Sequence, residues 1–76
     1  LVFVEVRSAT SRRFGEPEER VDRGKVGHLY RAMSAVTAAG LVPVELRSLP
    51  RRIDLVIVDR RSGPSQIRHL RRLEPP

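Results

Sequence analysis

The feature that most constrains the fold is the apolar run with which the sequence opens. Residues 1–7 read LVFVEVR, a stretch dominated by Val, Leu and Phe and free of Gly and Pro. A short apolar run of this composition is typical of a buried strand. A second run, RIDLVIVDR at residues 52–60, predicts another strand by the same criteria. The sequence therefore predicts a buried strand at residues 1–7 and a second strand at residues 52–60.

A helix is predicted between the two strands, over residues 23–39. Apolar residues recur there at spacings of three and four, as one helical face requires: Val26, Leu29, Met33 and Val36. Asp22 precedes the helix as a favourable N-cap, and Gly40 follows it as a natural stop. A strand, a crossover helix and a second strand make a βαβ unit, so the strands are expected to be parallel with a right-handed connection.

Weaker signals complete the predicted architecture. Residues 42–47 alternate apolar and polar and predict a short extended segment, and residues 66–73 predict an edge strand with a basic end. The fold class is therefore α/β, with a mixed sheet of three to four strands and one crossover helix. Residues 1–73 are expected to form a single domain, and residues 74–76 a flexible tail. One helix leaves a sheet face bare, which together with the initial Leu predicts that the first elements of the fold are missing.

The charge balance narrows the class of partner. Fifteen Lys and Arg against nine Asp and Glu give a formal net charge of +6, which favours nucleic acid. DNA bound with little sequence preference is expected first, and a homodimer is left open. A bias toward Arg codons is the alternative explanation. The chain has no Cys, which suits a reducing cytoplasm, and no apolar run near the ~20 residues of a membrane span.

Glu5 and Arg7 are the charged residues that the first strand has to accommodate. Residues i and i+2 of a strand share a face, so these two side chains are expected to project together. One interpretation is an ion pair that ends the strand. The other is a carboxylate that binds Mg²⁺ beside a cation that meets phosphate, although one carboxylate alone makes a poor metal site.

The order of several short motifs resembles the YraN-like family of small bacterial proteins. The motifs are Val4-Glu5-Val6-Arg7, Phe14-Gly15, the segment 21–25, Arg52-Ile53-Asp54, and the strand-like segment 67–70. That family looks like a branch of the PD-(D/E)xK nuclease superfamily, close to archaeal Holliday-junction resolvases. The resemblance covers nearly the whole chain and implies a restriction-endonuclease-like core that lacks its first strands.

The resemblance also implies roles for particular residues. Glu5 and the backbone carbonyl of Val6 would bind a metal ion, expected to be Mg²⁺ held weakly by this chain. Glu5 and Arg7 would be the catalytic residues, with Arg7 where the superfamily has Lys. Arginine stays protonated and cannot act as a general base, although it can stabilise the charge of a phosphoryl transition state. The superfamily's metal-binding Asp lies on an earlier strand, which this chain does not contain.

A set of basic residues is predicted to contact phosphate near the end of the first strand, with ordinary solvated charge as the alternative: Arg12, Arg13, Arg23, Lys25 and Arg31. Asp54 is expected to be a structural carboxylate paired with Arg52, and His69 a solvated or packed histidine. The predicted function is nucleic-acid binding, with Mg²⁺-dependent phosphodiester hydrolysis in a full-length form. The alternatives are a non-catalytic nucleic-acid-binding module and a protein-interaction domain.

Overall fold

A computed structural model describes residues 1–11, 16 and 21–75 as a three-stranded mixed sheet with one α-helix. In chain order the elements are β1 (Val2–Ala9), α1 (Arg23–Ala38), β2 (Arg52–Asp59) and β3 (Gln66–Leu70). The strands lie in the order β1-β2-β3, with β1 parallel to β2 and β3 antiparallel to it. The α/β class, the crossover helix and the parallel pair are therefore confirmed, as is a third strand at the edge.

The core is centred on β2, because this strand has a neighbour on both of its edges. Ile53, Leu55 and Ile57 alternate toward one face and are at most 2% exposed. Val26 and Met33 of α1 are also buried and Leu29 is half-buried, which confirms most of the predicted apolar stripe, whereas Val36 is 36% exposed. Side-chain alternation along β2 thus fixes which face of the sheet carries most of the apolar burial.

The ends of α1 follow from local chemistry. The Asp22 side chain accepts a hydrogen bond from the backbone N–H of Lys25 at 3.0 Å, which satisfies one of the free donors of the first turn. Gly40 has a φ of +75°, the left-handed conformation that ends many helices and that glycine adopts without strain. Both predicted helix signals are confirmed.

The predicted extended segment over residues 42–47 is wrong, because a short 3-10 helix occupies Val44–Leu46. Pro43 has no backbone N–H to give to a sheet, and its carbonyl instead accepts the N–H of Leu46 at 2.9 Å. The Arg47 side chain closes the turn by donating to the carbonyl of Val42 at 2.8 Å. No described strand pairs with residues 42–47, so their alternation of apolar and polar residues does not produce a strand.

One face of the sheet is left open, as expected for a single helix. Val2, Val4 and Val6 of β1 project from this face and are 41%, 54% and 59% exposed, so β1 is not the buried strand that its composition predicts. Ile67 of β3 is 70% exposed. Among the described residues, no helix has the length and apolar character that crossing a membrane would require.

Candidate nucleic-acid interface

Glu5 and Arg7 project from the same face of β1, as their spacing predicts. The burial pattern of β1 alternates, with Phe3, Glu5 and Arg7 half-buried and the valines between them exposed. Glu5 also lines a cavity of about 150 Å³ together with Met33 of α1, so the pair lies on the face that the helix covers. The two charged side chains therefore occupy the protected side of the sheet.

The contact between the two side chains is ionic. Arg7 Nε lies 2.9 Å from Glu5 Oε1 but forms no hydrogen bond, so its N–H is not aimed at the oxygen. The Arg7 side chain remains 40% exposed and that of Glu5 27% exposed. Partly exposed pairs of this kind typically contribute about 0.2–1 kcal/mol to stability. Stability alone is therefore a weak reason for placing this pair in an apolar strand.

Arg7 lies in the carboxyl-terminal half of β1, and Glu5 lies near the middle of the strand. Arg51, just before β2, donates from Nη1 to Thr37 Oγ1 at 3.0 Å, which places the last turn of α1 near the amino end of β2. The first turn of α1 therefore lies toward the carboxyl ends. In open α/β sheets, ligands bind outside the carboxyl ends of the strands.

The direction of the backbone carbonyls of β1 is a second feature of the strand near Arg7. The carbonyls of Leu1 and Ala9 accept hydrogen bonds from the residues that flank or begin β2. Successive residues of a strand direct their backbone groups to opposite edges. The carbonyl of Val6 therefore points away from β2, to the edge of β1 that no described strand occupies.

The Glu5 carboxylate and the Val6 carbonyl do not make a metal site by themselves. Within the described part of the chain, no three His, Cys, Asp or Glu residues come together in a group that could hold a metal ion. Glu5 supplies one carboxylate, which Arg7 already contacts, and the carbonyl of Val6 is directed to the strand edge. Mg²⁺ takes an octahedral set of oxygen ligands, commonly one or two carboxylates with waters and substrate phosphates. The described residues therefore do not fit Mg²⁺ as a bound ion.

The predicted basic residues are distributed unevenly around this place. Arg12 and Arg13 lie outside the described residues. Arg23 and Lys25 are exposed in the first turn of α1, roughly 160° apart around the helix axis. Arg31 is exposed two turns further along the helix. Arg23 and Lys25 are thus near the end of the sheet that carries Arg7, but they do not form one stripe.

Sequence reasoning missed a charge cluster at the same end of the sheet. Asp59 accepts hydrogen bonds from the backbone and side chain of Arg61 at 2.7–3.0 Å and from Arg68 Nη1 at 3.0 Å. Arg61 also donates to Glu16 Oε2 at 2.8 Å. The bonds from Arg61, and then from Arg68, hold the pKa of Asp59 well below its usual range. This cluster ties the β1–α1 connection to β2 and β3, and its charges neutralise one another.

Asp54 forms a second buried cluster, on the open face of the sheet. Its carboxylate is fully buried and accepts hydrogen bonds from Arg52 Nε and Nη2 at 3.1 and 3.3 Å, which confirms the predicted pairing. It also accepts from the backbone N–H of Arg72 at 2.9 Å and from His69 Nε2 at 2.8 Å. The Arg72 N–H, His69 and Arg52 together lower the pKa of Asp54 to about 2. The pairing of His69 with an acid was missed, since the acid comes from another strand.

Comparison with known proteins decides the family. The model of the uncharacterised protein family UPF0102 matches residues 1–58. The chain belongs to this family. A UPF0102 protein of Beutenbergia cavernae is 40% identical over 72 residues, which cover 93% of this chain and 58% of the relative. A UPF0102 protein of Syntrophomonas wolfei is 36% identical over 75 residues, which cover 92% of this chain and 57% of the relative.

Membership in UPF0102 confirms the YraN-like assignment made from the motifs. The matched region contains both Glu5 and Arg7 and the Arg52-Ile53-Asp54 motif. No solved structure gave a significant match to the chain. The chain spans just under three fifths of the length of the two UPF0102 relatives.

Proposed function

We propose that this UPF0102 chain binds nucleic acid through the carboxyl end of β1, where Arg7 would contact phosphate. The observation that carries the proposal is the placement of Glu5 and Arg7 together, half-buried, on the helix-covered side of an otherwise apolar strand. The net charge of +6 supports a polyanionic partner. No described element is built to read base edges, so contact with the phosphate backbone is the mode proposed.

The first turn of α1 supports the same partner. Arg23 and Lys25 lie at the positive end of the helix dipole, where each cation is unfavourable by about 0.3–1 kcal/mol. The Asp22 carboxylate at the N-cap balances only one of these two cations, and the first turn itself contains no acidic residue that would offset the remaining repulsion. A phosphate bound between this turn and Arg7 would relieve it. The charge arrangement is thus easier to explain with an anionic ligand than without one.

A second candidate function is Mg²⁺-dependent phosphodiester hydrolysis by a longer form of the protein. The observation that favours it is the Val6 carbonyl, which is directed to the free edge of β1 beside the Glu5 carboxylate. A carboxylate from a further strand at that edge would complete an oxygen-rich set of ligands. The 76-residue chain alone is expected to show no cleavage with Mg²⁺ or Mn²⁺.

The binding proposal is tested by three single-charge variants in a fluorescence anisotropy assay with a labelled DNA duplex at low salt. Arg7→Gln should weaken binding severalfold, because it removes the phosphate contact. Glu5→Gln should strengthen it, because it removes a repelling charge and releases Arg7. Arg71→Gln is the matched control, because it removes the same charge at an exposed position that follows β3 near the amino end of β2. If Arg7→Gln and Arg71→Gln have equal effects and Glu5→Gln has none, the pair is only a strand-ending ion pair.

The hydrolysis candidate makes the opposite prediction for Glu5 in a longer native form. There Glu5→Gln should abolish Mg²⁺-dependent cleavage, because an amide lacks the charge that a hard cation requires. Arg7→Lys should preserve or raise cleavage, because a desolvated lysine can lose its proton and an arginine cannot. Cleavage that survives Glu5→Gln would place the chemistry elsewhere in the protein.

A further inference from the structure

A cavity of about 470 Å³ lies at the opposite end of the molecule from Arg7. Its walls include Arg51 and Arg52 from the amino end of β2, Arg72 from the segment after β3, and Tyr30 from α1. Among the described residues that line it, Glu74 is the one with a carboxylate. Three arginines and one glutamate therefore line a single concave surface.

The backbone around Arg72 holds this wall in place. Arg72 has a φ of +57° and is the one non-glycine residue with a positive φ in the described part of the chain. The next residue, Leu73, donates its N–H to the carbonyl of Ile53 at 2.7 Å and accepts from the Tyr30 hydroxyl at 2.6 Å. A residue other than glycine in this conformation costs roughly 1–2 kcal/mol, and such positions concentrate at functional sites.

The three arginines are held by different contacts and keep donors for a ligand. Arg51 is tied to α1 through one nitrogen, Nη1, which binds Thr37. Arg52 binds Asp54 through Nε and Nη2, which leaves Nη1. Within the described residues, no hydrogen bond engages the guanidinium of Arg72, although its backbone N–H is fixed by Asp54. Convergent guanidinium donors match the oxygens of a phosphate group.

We propose that this cavity, lined by Arg51, Arg52 and Arg72, is a phosphate-binding site for the backbone of a nucleic acid. It is separate from Arg7, because Arg7 is in register with Ile57, which lies five residues or roughly 17 Å along β2 from Arg52. The inference rests on the proposed function in one respect, which is the assignment of the bound phosphate to a nucleic acid. Asp54 does not compete for the ligand, because its carboxylate is buried and already accepts hydrogen bonds from three residues.

The test titrates the 76-residue chain separately with inorganic phosphate and with a short single-stranded oligonucleotide, followed by two-dimensional amide NMR. Arg72→Gln should weaken binding of both probes roughly tenfold, because it removes a charge-assisted contact but keeps the backbone N–H. Arg60→Gln is the matched control and should have a smaller effect. Arg52 is left unchanged, because its loss would disturb the buried Asp54.

A second variant predicts a gain in binding, which misfolding cannot imitate. Glu74→Gln removes the carboxylate that lines the cavity and should tighten binding of both probes by about two- to fivefold. Glu45→Gln, at an exposed position of the 3-10 helix, is its control. The site is overturned if Arg72→Gln weakens binding no more than Arg60→Gln, or if Glu74→Gln leaves binding unchanged.

The two probes separate this inference from the proposed function. If the variants change the affinity for phosphate but not the affinity for the oligonucleotide, the cavity binds free phosphate. The proposal that it binds the backbone of a nucleic acid is then overturned. If oligonucleotide binding responds to Arg7→Gln but not to Arg72→Gln, the second site is overturned and the proposed function stands.

Discussion

At the scale of single residues, the buried carboxylates decide what the charged side chains do. Asp54 is fully buried, yet its oxygens accept hydrogen bonds from Arg52, His69 and the backbone of Arg72. A buried charge that is paired in this way stabilises the fold only while it stays ionised. Asp54 therefore links the amino end of β2 to the segment after β3, and it orders the wall of the arginine-lined cavity.

The lowered pKa of Asp54 predicts how stability depends on pH. Because the pKa falls from 3.8 to about 2 on folding, the stabilisation is fully present above pH 4 and is lost as pH falls toward 2. Asp54→Asn should lower the free energy of unfolding at pH 7 and flatten its decline below pH 4. Urea denaturation from pH 7 to pH 2 measures both effects, with Glu45→Gln as a control. Equal profiles for Asp54→Asn and the parent chain would contradict the role assigned to Asp54.

At the scale of elements, β2 contributes most of the burial that stabilises the sheet, and β1 holds the residues of the candidate site. The inward-facing residues of β2 are buried, whereas every second residue of β1 is exposed. An edge strand with free backbone groups is a poor place to gain stability, but it is accessible to a ligand or to a further strand. The division explains why Glu5 and Arg7 are tolerated on β1.

This division predicts different costs for the same substitution on two strands. Ile57→Ala on β2 should lower the free energy of unfolding by about 2–5 kcal/mol, because Ile57 is fully buried. Ile67→Ala on β3, at a position 70% exposed, should change it by less than about 0.5 kcal/mol. Urea denaturation of the two variants measures the difference. Similar losses in both would mean that β2 is not the centre of the core.

The sequence predicts these elements well where the signal is local. The strands, the apolar stripe of α1, the Asp22 cap and the Gly40 stop all follow from periodicity and backbone chemistry. The pairing of Glu5 with Arg7 follows from their spacing in a strand. The 3-10 helix was missed, because its hydrogen bonds and the Arg47 side chain outweigh a pattern that also suits a strand.

The parts that escaped prediction depend on register between strands. The contact between Asp54 and His69, and that between Asp59 and Arg68, require the antiparallel alignment of β2 with β3. That alignment is set by the turn between them, and nothing in the spacing of the charged residues specifies it. The arginine-lined cavity is still harder to predict, because its lining comes from four separate parts of the chain.

At the scale of the whole molecule, positive charge is present at both ends of a small sheet. Arg7 and the first turn of α1 lie at the carboxyl end of the parallel strands, and the arginine-lined cavity lies at the amino end. Because the candidate contacts are to phosphate, binding should depend on charge more than on base sequence. The central claim is therefore that this UPF0102 chain binds nucleic acid electrostatically.

The measurement that tests this claim most directly is a salt titration of binding to two DNA duplexes of unrelated sequence, followed by fluorescence anisotropy. The logarithm of the association constant should fall linearly with the logarithm of salt concentration, by roughly 0.9 for each phosphate neutralised. The two duplexes should give nearly the same line. Undetectable binding at low salt, or an affinity that does not weaken as salt rises, would contradict the claim.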